Sequence, residues 1–205
     1  RVQQEFFPTL EEGTALYDYT TLVGSREISI GAIGGYSVNW TPTSRFSLKS
    51  VFTQSGDDET RLVSGPFNQS TTGIGRIQRF QFVERTLLNT RATFEHKTEF
   101  LGDGRVEWDA AYAFALRDEP DTRSTSYVAQ EDGGTYFFNE AGNNNRFFSE
   151  LTDHMVQGAV KSTTQFDWLE GRATLALGGG GSLRTRDFAA RRFDCICFES
   201  KRRRI

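Results

Sequence analysis

Between Arg105 and Arg117 one parity of the chain is wholly apolar and the other carries every charge, and no other local pattern restricts the fold as tightly. Val106, Trp108, Ala110, Tyr112, Phe114 and Leu116 share one set; Glu107, Asp109, Ala111, Ala113, Ala115 and Arg117 share the other. A period of two puts such sets on opposite faces of an extended strand, whereas a helix scatters both around its axis. The same period recurs along the chain. From Arg26 to Trp40 the even positions are Ile28, Ile30, Ala32, Gly34, Tyr36, Val38 and Trp40, against Glu27, Ser29, Ser37 and Asn39, with Ile33 as the exception. Arg45 to Gln54 sets Phe46, Leu48 and Phe52 opposite Arg45, Ser47, Lys49 and Thr53. Arg76 to Thr98 keeps one parity when taken as a single strand, with Phe80, Phe82, Leu88, Ala92 and Phe94 against Arg79, Gln81, Arg91, Thr93 and Glu95. Asp153 to Phe166 and Arg172 to Arg186 complete the set through Val156, Val160 and Phe166, then Leu175, Leu177 and Leu183. Arg1 to Phe7 reads as the end of an incoming strand.

The breaks between these runs alternate in length. Thr41-Pro42-Thr43-Ser44, Gly102-Asp103-Gly104 and the stretch from Asp167 to Gly171 are short, and Trp40, Trp108 and Trp168 lie in or near them. Pro8 to Gly24, Gly56 to Gly75 and Asp118 to Glu150 are long and polar, and are expected to be loops. The pattern predicts an all-β antiparallel meander of about six long strands. Short turns at one rim, long loops at the other and aromatics near the short turns are how part of a transmembrane β-barrel reads. On this reading the short turns are periplasmic and the loops extracellular. Trp40, Phe46, Phe94, Trp108, Tyr112, Phe114, Leu116, Phe166 and Trp168 face lipid or its interface.

Composition supports the same reading. Leu, Ile and Val are sparse for a soluble core, whereas a barrel needs apolar residues on its outer face alone. No apolar run approaches the roughly 18 residues of a membrane helix. A net charge of −3 argues against a nucleic-acid surface. Six strands leave two unpaired edges, which lipid does not tolerate. The chain also starts at Arg1 without a leader-like stretch. The expectation is therefore either an exported chain whose leader was removed or, the favoured reading, an internal segment of a longer chain, with residues 1–194 as partial barrel. Residues 195–205, with Cys195, Cys197 and a Lys-Arg-Arg-Arg run, depart in composition and read as a truncated or misread end. Two cysteines at this spacing suit neither a relaxed disulfide nor a full metal site.

No catalytic constellation and no cofactor site is expected. His96 and His154 sit on different strands without ligand-spaced partners. Gly178 to Gly181 lacks the lysine and helix start of a phosphate loop and is expected to mark a bend or a crowded wall. Asp57-Asp58-Glu59 reads as a solvated acidic loop, a cation site being the less favoured alternative. Arg45, Lys49, Arg79, Arg91, Glu107, Asp109, Arg117, Arg184 and Arg186 share the wet face, where they line a solute path, contact a plug, or simply belong to a hydrated wall. For ligand binding the candidates are Arg117 and the loop aromatics Tyr136, Phe137 and Phe138; Phe147 and Phe148 are further loop aromatics. Self-packing of the loop explains the aromatics equally well.

Several stretches resemble the barrel of TonB-dependent outer-membrane receptors. They are Phe46-Ser47-Leu48-Lys49 with Ser55-Gly56-Asp57-Asp58-Glu59-Thr60-Arg61, the region of Phe82-Val83-Glu84-Arg85, and above all Leu116-Arg117-Asp118-Glu119-Pro120-Asp121-Thr122-Arg123. Arg186-Asp187-Phe188-Ala189-Ala190-Arg191-Arg192-Phe193 is similar to a later strand of the same group. The resemblance implies a barrel of about 22 strands occluded by a plug. It implies import of a scarce solute (a siderophore, a carbohydrate or similar) across the bacterial cell outer membrane. Its implied partners are outer-membrane lipid, the small solute, the plug domain and an inner-membrane energy-coupling protein, the last two through the full-length parent. A passive porin segment and a soluble β-sandwich binding module are the alternatives.

Overall fold

The computed structural model describes residues 2–8, 15–66, 74–98, 103–129, 136–138, 144–168 and 171–195. These form β1 (Val2–Pro8), β2 (Ala15–Thr41), β3 (Ser44–Pro66), β4 (Ile74–Thr98), β5 (Asp103–Ala129), β6 (Tyr136–Phe138), β7 (Asn145–Trp168) and β8 (Gly171–Asp194). All lie in one antiparallel sheet ordered β1-β2-β3-β4-β5-β7-β8, with β6 paired to β5 beyond the end of β7. The chain is thus an all-β meander of six long strands flanked by a short one. The described residues contain no helix able to cross a membrane, a statement that does not bear on strands.

Register decides which side chains share a face. Val38 pairs with Phe46, Phe46 with Phe94, Phe94 with Trp108, Trp108 with Val160 and Val160 with Gly179. Two residues along, Tyr36, Leu48, Ala92, Ala110, Gly158 and Gly181 form the next row, followed by Gly34, Ser50, Thr90, Tyr112, Val156 and Leu183. Directly opposed residues point to the same side of an antiparallel sheet, so the apolar parities of six strands merge into one continuous face. The other parity merges likewise: Gly35, Lys49, Arg91, Ala111, Gln157 and Ser182 form one of its rows. Among the described residues nothing covers the apolar face. Trp40 is 79% exposed, Leu183 73%, Ile30 67% and Trp108 54%. The only buried hydrophobic residues among those described are Val83 and Val128.

Three expected loops prove to be largely strand. β2 already begins at Ala15, β3 continues to Pro66 with Asp57-Asp58-Glu59 inside it, and β5 and β7 extend through most of 118–150. β8 likewise runs eight residues past Arg186, to Asp194. The physical reason is that these segments lie past the apolar band. There apolar and polar residues no longer sort to opposite faces and the period-two signal vanishes, while backbone N–H and C=O groups still pair strand to strand. The long strands reach 23–27 residues, roughly twice the 9–11 that span a bilayer. On the apolar face the band ends at a row of three carboxylates, Glu84, Asp118 and Glu150, paired across β4, β5 and β7.

The glycine run shows how the sheet bends. On the polar face, a Cβ added to Gly180 would lie 2.8 Å from the Gly158 carbonyl, and one on Gly178 would lie 3.0 Å from that of Val160. On the apolar face, Gly158, Gly179 and Gly181 have nothing within 4 Å of the same position. Side-chain vectors converge on the inside of a curve and diverge on the outside, so the sheet curves toward its polar face along β7–β8. At the near rim, Thr41 and Ser44 pair across Pro42-Thr43, and the Thr43 carbonyl accepts the Lys97 amide at 2.8 Å, tying the turn to β4. Register slips between Asn39 and Thr41, so Trp40 sits at a bulge.

Candidate functional site

β5 is irregular at Pro120. Pro120 lacks an N–H and fits a strand only at an edge or a bulge. Here the ladder with β7 shifts between Glu119 and Thr122, and that with β4 between Phe80 and Glu84. The extra residue sends Glu119 and Thr122 both to the polar face. Glu119 is 3% exposed and Thr122 4%. Gln81 of β4 donates to the Glu119 carboxylate at 2.8 Å, Arg117 at 3.0 Å and Ser149 of β7 at 3.4 Å, with the Thr122 hydroxyl closing the set. Burial pushes this carboxyl up, but the bonds from Thr122, Gln81 and Arg117 outweigh it and hold it below its ordinary range. Glu119 is therefore a buried anion that fixes four donors.

A groove of about 530 Å³ opens over this cluster across β4, β5, β7 and β8. Arg79, Gln81 and Arg117 line one side; Asn145, Phe147, Ser149, Phe188 and Arg192 line the other. The Arg192 guanidinium stands 5.4 Å from the Phe147 ring centroid. Past the bulge on the opposite face, Asp121 accepts from Arg146 at 2.8 and 3.0 Å and from Arg123. The bonds from Arg146 foremost hold the Asp121 carboxyl below its ordinary value; burial, the next cause in size, opposes them, and Arg123 adds to the lowering.

The rest of the polar face is a ladder of cross-strand ion pairs. Arg105 of β5 bridges Glu95 of β4 at 2.9 Å and its own neighbour Glu107 at 2.6 Å. Arg91 binds Asp109, and Arg184 and Arg186 of β8 converge on Asp153 of β7. Arg45, Lys49 and Arg79 stand on the same face. The nine charges expected there are thus gathered on one side of the sheet.

Of the candidate ligand contacts, Arg117 lines the groove. β6, which holds Tyr136, Phe137 and Phe138, pairs with Tyr127–Ala129, three residues beyond Ser124 of the groove lining, and the side chains of those three aromatics lie outside the description. Phe147 and Phe148 lie within β7 rather than in a loop, and strand alternation separates them. Phe147 lines the groove, and Phe148 meets Phe193 edge-on at 5.7 Å on the other face. Phe46, Phe94, Trp108, Tyr112, Phe114 and Leu116 all fall on the apolar parity, as do Trp40 and Phe166; Trp168 pairs by its backbone with Gly171. His96 accepts or donates a 2.8 Å bond with Ser44, and His154 a 3.0 Å bond with Tyr112, so the two imidazoles are separately occupied. Among the described residues no group of three or more His, Cys, Asp or Glu side chains is arranged to hold a metal. Cys195 is a free, exposed thiol, and the remainder of the tail, with Cys197, lies outside the described residues.

Glu119, Thr122, Ser149, Phe188 and Arg192 are groove residues that strand periodicity alone does not single out. A proline between two acids within a strand-like run was the available signal. Asn144 is another. Its side-chain oxygen takes the Ser126 amide at 2.6 Å and its carbonyl takes the Cys195 amide at 2.8 Å, extending the ladder where β7 begins.

Fold and groove together define a class: an open antiparallel sheet, apolar and bare on one side, charged and curved inward on the other. Comparison of the chain with protein-family models and with curated proteins returns no match.

Proposed function

We propose that this chain is a segment of the barrel of a TonB-dependent receptor in the bacterial outer membrane. It takes part in importing a scarce solute with energy drawn from the inner membrane. The observation that carries the reading is the register that merges six apolar parities into one bare face. In water such a face is a large exposed patch, whereas against lipid it is the face a barrel requires. The inward curve toward charged residues supports a hydrated interior, and the two long unpaired edges call for further strands from the parent chain. The plug and the energy-coupling protein enter through that parent, and the resemblance around Arg117-Asp118-Glu119-Pro120 selects this receptor family among barrels.

The full-length protein, reconstituted in a planar bilayer, is expected to stay electrically silent because a plug fills the lumen. A steady ohmic conductance identifies a passive porin instead. Failure to insert at all, with the protein monodisperse in buffer, identifies a soluble β-sandwich module.

A further inference from the structure

We infer that the groove over Glu119 binds a small organic anion that carries a flat apolar part. The inference deepens the receptor reading, because it names the class of solute handled by the polar face. Three observations on the groove converge. First, among the described residues its only lining carboxylate is already spent: Glu119 is buried and bonded to Gln81, Arg117, Thr122 and Ser149. Second, two exposed cations remain on opposite walls. Arg79 on β4 is in no ion pair among the described residues, and Arg192 on β8 engages only the ring of Phe147. Three strand spacings of about 4.8 Å separate their strands, and inward curvature brings the side chains closer. Such a gap suits a solute of one ring with its anionic group, and arginine forks match carboxylate or phosphate oxygens. Third, Phe188 is 62% exposed beside the groove and Phe147 lines it, giving an apolar surface next to the cations. Asp194 stands in the row of Arg79, Ser124 and Asn145, two residues past Arg192 and at the far end of that row from Arg79, and is not part of the lining. Neutral sugars have little use for two unspent arginines, and free phosphate has none for the phenylalanines.

The test uses the full-length protein in detergent micelles, with phenyl phosphate as probe and phenol and inorganic phosphate as its two halves. Calorimetric titration should show phenyl phosphate binding more tightly than either half, and weakening as salt is raised. Arg79→Gln and Arg192→Gln should each weaken it by about tenfold, the scale of one charged hydrogen bond. Lys49→Gln, on the same face but outside the groove, should leave it unchanged. Equal binding of phenol, or equal loss in all three variants, overturns the inference, because the first removes the anion and the second replaces the groove with a diffuse field. Tryptophan quenching by brominated detergent, read on the same samples, tests the barrel separately. Quenching without anion binding sinks the groove alone, and binding without quenching sinks the membrane reading alone.

Discussion

Ala110 and Ala111 are neighbours in sequence yet belong to different environments. Ala110 is exposed on the apolar face between Ala92 and Gly158, and Ala111 stands on the polar face between Arg91 and Gln157. Ala110→Arg is expected to destabilise the bilayer-inserted state by about 2–4 kcal/mol if that face meets the midplane. Ala111→Arg leaves its charge in water and should cost far less. Refolding titrations into lipid vesicles read the difference, and equal costs would remove the lipid face. At this scale the alternation was fully legible, since each apolar or charged residue reports its own face. The groove was not. Glu119 and Thr122 lie three residues apart and would take opposite parities in a regular strand; the bulge at Pro120 puts both on one side.

Pairing of β7 with β8 rests on glycine at alternate positions. An added methyl at Gly180 runs into the Gly158 carbonyl at 2.8 Å and the Ala159 Cβ at 3.0 Å, and backbone must move to admit it. The same methyl at Gly181 meets nothing within 4 Å. Gly180→Ala is therefore expected to destabilise the hairpin by about 1–3 kcal/mol, as overpacking does. Gly181→Ala should stabilise it by about 0.4–1 kcal/mol by narrowing the unfolded ensemble. Urea titration of the two variants in detergent measures both signs. A matching loss at Gly181 would mean that the sheet is not curved toward its polar face here. The sequence foretold a bend or a crowded wall at this run, but not which two of the four glycines are crowded. That depends on which face is concave.

At the scale of the whole molecule, the described residues form a sheet with two free edges and almost no interior. The outward row of Trp108, Tyr112, Phe114 and Leu116 adjoins further exposed apolar residues on every neighbouring strand. In buffer without detergent the isolated chain is expected to associate through this face and through the edge of β8. Size-exclusion chromatography coupled to light scattering reports it, and a monodisperse monomer with a cooperative thermal transition would contradict the barrel. Sequence alone determined the all-β class, the six long strands, their order of short turns and the parity of each face, because a period of two is a local property of consecutive side chains. Only the tertiary structure decided how far the strands run past the apolar band, because backbone pairing continues where side chains no longer alternate. It alone brought Gln81, Arg117, Glu119, Ser149 and Arg192 from four strands to one groove, because register and bulge set contacts between residues distant in the chain.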